Sequence, residues 1–247
     1  MKQKINIVKV KNVKIGEGFC VIAGPCAVES EEQLFKTAKL IKKNINILRG
    51  GAYKPRSFPD KFQGLKEEGL IILKKVSEKV NIPTVTEVLD VRDIALISEF
   101  SDMLQIGARN MANYPLLKEV GKTRKPVLLK RGFGSKIDEL LGAAEYILSE
   151  GNNQIVLCER GIRTFETSLR FTLDFAGAIY LKQKTNFPVI IDPSHATGNP
   201  SLIKPLVKAS IAAGIDGVIV EVHYNPKIAK CDAFQALTPK EFNEIFK

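Results

Sequence analysis

Eight short apolar runs recur along the chain, and each ends on a residue able to do chemistry. The ends are Cys26 (FCVIAGPC), Arg49 (NILRGGAYK), Glu87 (PTVTEV), Arg109 (DMLQIGAR), Lys130 (PVLLK), Arg160 (QIVLCER), His195 (PVIIDPSH) and Glu221 (GVIVEV). The runs are largely apolar, as strands covered on both faces are, and a stretch long enough for a helix separates each from the next. A parallel (β/α)8 TIM barrel makes this pattern, because its active site is built from the C-terminal ends of all its strands. A doubly wound open sheet also alternates strand and helix. Against it, no Rossmann glycine fingerprint is present, and polar residues end nearly every strand instead of gathering at one switch point.

A length of 247 residues suits one barrel, for which about 250 is typical. Residues 1–18 stand apart: INIVKV and NVKI alternate apolar and polar side chains around Lys11-Asn12, which predicts a short N-terminal β-hairpin cap. The expected division is therefore a hairpin extension, 1–18, and a catalytic barrel, 19–247. Helices are expected over 31–43, 65–80, 90–99, 115–121, 135–150, 170–184, 201–213 and 239–246, with Ser30 and Gln33 forming a capping box for the first. Gly121, Gly151 and Gly214 fall just past helical stretches, where a left-handed C-cap is common.

No apolar run approaches the ~20 residues a bilayer requires, and the N-terminus lacks the apolar core of a signal peptide. The four cysteines (Cys20, Cys26, Cys158, Cys231) are far apart without CxxC spacing, so reduced thiols in a cytoplasm, and no disulfide, are expected. The net charge of +10 fits a Lys-rich solvated surface or attraction for anionic partners. No basic run is interleaved with aromatics, Trp is absent and no nucleic-acid motif stands out, so phosphorylated metabolites are the better partners than nucleic acid.

Two constellations carry the chemistry. Cys26, His195, Glu221 and Asp232 could converge at one end of the barrel, and such a mixed sulfur, nitrogen and oxygen set suits a divalent transition metal. Arg49, Lys54, Arg56, Arg109, Lys130 and Arg160 all fall at strand ends or just after them. Each alone could be an ordinary snorkelling or ion-paired side chain. Six at one mouth repel unless anions compensate, and arginine's fork suits phosphate and carboxylate alike. A small, multiply anionic substrate, or two, follows. Glu159 and Asp192 are expected to pair with neighbouring arginines, and Glu87 to orient a lysine or water.

Seven motifs then narrow the reading. GPCAVES (24–30), LRGGAYKPR (48–56), QIGARNM (105–111), LLKRG (128–132), CERGIRTFE (158–166), DPSHATG (192–198) and VEVHYNP (220–226) together resemble the 3-deoxy-D-arabino-heptulosonate 7-phosphate (DAHP) synthases, most closely the type I beta group, over roughly 19–237. The resemblance implies a metal-dependent (β/α)8 enzyme that condenses phosphoenolpyruvate with erythrose 4-phosphate and releases phosphate, the first step of the shikimate pathway. It implies one divalent ion (Mn2+, Fe2+, Co2+ or Zn2+) on Cys26, His195, Glu221 and Asp232. Arg109, Lys130 and Arg160 match the residues that hold the phosphate of phosphoenolpyruvate, with Ala108 a further substrate-binding position, and Arg49 and Lys54 match those near its carboxylate. Arg56 and Ser57 match the aldose phosphate site, with Glu87 a further substrate-side group; Cys26, Lys54 and His195 are the catalytic candidates. The family forms dimers and tetramers, so a homo-oligomer is expected. Relatives often bear a ferredoxin-like or chorismate mutase domain. Only about 18 residues precede the first barrel strand here, so no feedback inhibition through a fused domain is expected.

The chain departs from the family pattern near the acceptor and the metal. Ser57 and Phe58 follow KPR where threonine is common, Tyr224 interrupts VHPNP, and CDAFQAL replaces SDGQQSL, keeping Asp232 and Gln235. Cys231 is read as a bystander thiol. The nearest rival is the sister 3-deoxy-D-manno-octulosonate 8-phosphate synthase, which uses arabinose 5-phosphate and characteristically carries Lys-Ala-Asn-Arg where this chain has Lys54-Pro55-Arg56. A more distant rival is a noncatalytic barrel that binds anions or RNA.

Overall fold

A computed structural model describes residues 5–247; residues 1–4 of the expected hairpin extension lie outside the described residues. Strands β1 (Val8–Val10) and β2 (Val13–Ile15) pair antiparallel with Val10 opposite Val13, and Lys11 takes φ +52° in the two-residue turn. Eight parallel strands follow: β3 (Cys20–Gly24), β4 (Ile47–Arg49), β5 (Thr84–Val88), β6 (Met103–Ile106), β7 (Val127–Lys130), β8 (Ile155–Glu159), β9 (Val189–Ile191) and β10 (Gly217–Glu221). β10 pairs with both β9 and β3, so the sheet closes on itself. The expected TIM barrel is the observed fold.

Side chains alternate along each strand, and this parity explains both core and mouth. One buried cluster joins Ile22, Ile47, Val85, Met103, Leu128, Val156, Ile190 and Ile219, one from each strand, to Val8, Val10 and Ile15 of the hairpin. The hairpin therefore plugs the N-terminal end of the barrel with its own apolar face. Burying each such side chain contributes about 1.5–3 kcal/mol. Two residues further along, on the same face of their strands, come Arg49, Glu87, Gln105, Lys130 and Glu221, with Asp192 and Arg160 at the same parity just past β9 and β8. The opposite parity, including Leu48, Leu104, Leu129 and Val220, faces the helical layer.

That layer comprises α1 (Glu31–Ile41), α2 (Lys66–Val80), α3 (Ile94–Phe100), α4 (Tyr114–Lys122), α5 (Ile137–Ser149), α6 (Phe175–Lys184), α7 (Pro193–Thr197), α8 (Ile203–Ala212) and α9 (Pro239–Asn243). Ser30 accepts from the Gln33 amide as expected, whereas the Gln33 side chain reaches the Glu29 amide instead of that of Ser30. Three expectations need correction. α6 starts at Phe175, not 170, because Asp174 caps the Gly177 amide while Arg170 and Phe171 donate their amides to Thr197 and Ala196. α9 ends at Asn243, short of 246. Gly121 lies inside α4, where a Cβ would meet the Ile147 carbonyl at 2.9 Å; its absence lets α4 approach α5, and the left-handed residue is Arg124. Gly151 and Gly214 do take positive φ. Among the described residues no helix is long and apolar enough to cross a membrane, and all four cysteines are buried free thiols.

Candidate functional site

The short helix α7 was not anticipated, and it carries His195. Asp192, just past β9, caps it by accepting from the His195 amide at 3.0 Å. The other oxygen of the same carboxylate lies 2.7 Å from His195 Nδ1 and also accepts from Lys130 Nζ. A proton held on Nδ1 leaves Nε2 as the free ligand atom, the arrangement that orients metal-binding histidines. Nε2 lies 3.0 Å from Glu221 Oε1. Cys26 follows β3, and its Sγ is 3.4 Å from Asp232 Oδ2. One ligand atom from each of Cys26, His195, Glu221 and Asp232 lies within 4.8 Å of all the others. Asp232 sits at φ +49°, a conformation that aspartate tolerates better than most residues.

The electrostatics of this cluster are those of a cation site. Burial would raise the Glu221 carboxyl, but His195 and Arg49 hold it well below the usual range. Its Oε1 accepts from Arg49 at 2.8 Å and its Oε2 from Gln235 at 2.6 Å. Burial would lower the His195 imidazole, but Asp192 and Glu221 raise it to about 9. A hydrogen bond with Cys231, burial and Glu221 push the Cys26 thiol well above its usual value. Anionic and neutral donors of three elements thus converge on one point, which fits a divalent transition ion.

Beside the cluster a cavity of about 260 Å³ opens at the C-terminal ends of the strands. Lys54, Arg56, Ser57, Glu87, Ala108, Arg109, Lys130 and Arg160 line it, and His195 and Asp232 join it to the metal-type cluster. Lys54 is buried and donates to the Cys26 carbonyl at 3.0 Å. Burial works against its charge, but Cys26, Cys231 and Glu87 keep it firmly protonated. Arg160 is buried, and burial pulls it down to about 10 despite the attraction of Asp192. Its Nη2 donates to the His195 carbonyl, while its buried Nη1 has no protein partner.

All the residues singled out in the sequence gather at this end of the barrel. Arg49 alone among the cations stands back from the main cavity, against Glu221. Glu159 pairs with Arg131 at 2.9 Å as expected, on the outer parity. Asp192 does not pair with an arginine; it serves Lys130 and His195. Cys231, read as a bystander thiol, lies inside the site: its Sγ is 3.0 Å from that of Cys26 and accepts from Arg56 at 2.7 Å. The left-handed turn at Asp232 swings both residues inward. Tyr224 instead lies over α1, where its amide meets Thr37. Gln105, Phe133 and Arg170 also line the cavity and were missed; strand parity would have found Gln105.

A parallel barrel whose mouth joins a metal-type donor cluster to a cation-lined cavity defines a class of enzyme that handles small anionic substrates. Within that class, a family model described as "DAHP synthetase I family" matches residues 4–247. The chain is 46% identical over 241 residues to "Phospho-2-dehydro-3-deoxyheptonate aldolase" of Thermotoga maritima, covering 97% of this chain and 71% of that protein. It is 32% identical to "2-dehydro-3-deoxyphosphooctonate aldolase" of Desulfatibacillum aliphaticivorans, covering 95% and 92%. The crystal structure of the Thermotoga maritima DAHP synthase superposes with a TM-score of 0.94 at 45% identity, covering 98% of this chain and 71% of that one. The chain belongs to the DAHP synthetase I family.

Proposed function

We propose that the chain condenses phosphoenolpyruvate with erythrose 4-phosphate and water, giving 3-deoxy-D-arabino-heptulosonate 7-phosphate and phosphate, at the head of the shikimate pathway. One observation carries the reading: the cation-lined cavity opens directly onto the Cys26, His195, Glu221, Asp232 cluster. The 46% identity to a protein named for this aldolase supports it.

Lys130, Arg109 and Arg160 bind the phosphate of phosphoenolpyruvate, with Ala108 beside them. The unpartnered Nη1 of Arg160 gains an acceptor when that phosphate arrives. Lys54 and the free N–H groups of Arg49 take the carboxylate, and Arg56 with Ser57 takes the aldose phosphate. Holding both reactants removes much of the entropic barrier as C3 of phosphoenolpyruvate attacks the aldehyde carbon. Water then adds at C2 and phosphate leaves. A divalent ion on Cys26, His195, Glu221 and Asp232 supplies Lewis acidity for the aldehyde oxygen. The Lys54 ammonium, fixed on the Cys26 carbonyl, is a proton donor beside that cluster, and Asp192 holds His195 in the tautomer it needs. Glu87, near Lys54, orients lysine or water.

A second reading follows from the relatives named as octulosonate aldolases. Lys54-Pro55-Arg56 favours the four-carbon aldose over arabinose 5-phosphate. Steady-state turnover with each sugar phosphate and identification of the product separates the two. Faster turnover with arabinose 5-phosphate reverses the assignment, and RNA binding without turnover supports the noncatalytic barrel.

The same proposal includes a catalytic barrel of residues 19–247 floored by the hairpin, a cytoplasmic location and a homo-oligomer, dimer or tetramer. Light scattering on the eluted protein tests the last.

A further inference from the structure

Guanidiniums without a counter-charge crowd the mouth. Among the described residues Arg109, Arg160 and Arg163 have no carboxylate within salt-bridge distance; Glu221, Asp192, Glu159, Asp174 and Asp232 pair instead with Arg49, Lys130, Arg131 and Arg170. What these three share is one ring. The guanidinium carbons of Arg109, Arg160 and Arg163 lie 5.3, 4.8 and 5.3 Å from the centroid of Phe133. Phe171 stacks on Phe133 at 5.1 Å, nearly parallel, and lies 4.3 Å from the same carbon of Arg160. The Arg163 amide donates to the Phe133 carbonyl at 2.7 Å, which joins the loops after β7 and β8.

An aromatic face attracts a cation through its quadrupole, most strongly where water is excluded. Arg160 meets that condition, being buried with an unpartnered Nη1. Phe133 also lines the cavity itself. Its loop is anchored from behind, since Arg131 is held by Glu159 and Asp174 at 2.9 and 2.7 Å.

We propose that Phe133 is a positioning residue for phosphoenolpyruvate: its π face holds Arg109 and Arg160 assembled before the phosphate binds. This rests on the assignment of those arginines to that phosphate under the proposed function. Phe133 donates no hydrogen bond to the substrate and takes no part in proton transfer. It stands in for the missing anion in the free enzyme, so the arginines need not be gathered at the moment of binding. Preorganisation of this kind appears in affinity, not in the chemical step.

The test is Phe133→Leu, which keeps apolar bulk and removes the π face, beside Phe133→Tyr, which keeps both. The metal-loaded proteins are compared by steady-state kinetics and by calorimetric binding of phosphoenolpyruvate without aldose. Phe133→Leu is expected to weaken phosphoenolpyruvate binding and raise its KM about tenfold. The KM for erythrose 4-phosphate and kcat stay within about twofold, and Phe133→Tyr behaves as wild type. Equal phosphoenolpyruvate binding by the Leu and Tyr variants overturns the proposal, as does a loss confined to kcat. Phe133→Met serves as a second non-aromatic replacement if the Leu variant fails to fold, and is expected to show the same rise in KM. Wild-type protein that binds no phosphoenolpyruvate contradicts the function itself, a result separate from any difference among the variants.

Discussion

Asp192 presents one carboxylate oxygen to two cationic partners, lying 2.7 Å from His195 Nδ1 while also accepting from Lys130 Nζ. It thereby links the candidate metal ligand to the candidate phosphate ligand. Replacing it as Asp192→Asn removes the charge that fixes the imidazole and leaves Lys130 buried without a counter-ion. Losing such a partner typically costs 10–100-fold in metal affinity. We expect a loss of that size in competition with a chelating dye, together with a lower thermal midpoint. Unchanged affinity contradicts the assigned role of Asp192.

The pH dependence follows from His195. In the metal-free protein Asp192 and Glu221 overcome burial and raise the imidazole from 6.5 to about 9, whereas a metal requires it neutral. Metal affinity should therefore climb about tenfold per pH unit between pH 7 and 9. Cys26, also raised, must shed its proton too and steepens the slope. Stability of the metal-free fold runs the other way. A raised histidine contributes fully below pH 6.5 and its contribution is lost as pH rises through about 9. Calorimetric metal titrations at several pH values check the first trend, and thermal melts of chelated protein the second. Affinity independent of pH contradicts the ligand assignment.

Cys231 holds Arg56 through a 2.7 Å contact with Nη1. Cys231→Ala releases that guanidinium, and the KM for the aldose phosphate should rise roughly tenfold, the lower end of the about 1.5–3 kcal/mol that a hydrogen bond to a charged group contributes. The KM for phosphoenolpyruvate should hardly move. Equal shifts in both would mean that Cys231 supports the site generally instead of Arg56.

The hairpin plug is a stability element. Ile15 is fully buried at the floor of the barrel, so Ile15→Ala should cost about 2–5 kcal/mol. Denaturant unfolding measures the loss, and a change under about 1 kcal/mol would argue that the hairpin is loosely attached.

Much of this was legible because a barrel strand writes its register into the chain. Ile47 and Arg49, or Leu128 and Lys130, stand two apart, so an apolar floor predicts a polar mouth on the same face. The motif order then identified which mouth residues belong together. Less legible was anything decided by one backbone turn. The left-handed φ of Asp232 brings Cys231 onto Cys26, and no periodicity signals it. The five residues of α7 are too few for a helical pattern, so the capping by Asp192 stayed hidden behind an expected arginine pair. Phe133 lay in a loop, where an aromatic side chain carries no positional signal until its neighbours are known.

The most direct test of the central claim is release of phosphate from phosphoenolpyruvate, followed with the aldose and the metal each withheld and restored. If the two substrates meet at the cation cavity beside Cys26, His195, Glu221 and Asp232, release requires erythrose 4-phosphate. It stops on thorough chelation and returns when a divalent ion is added back. Release that persists after chelation, or that proceeds without any aldose, contradicts the account.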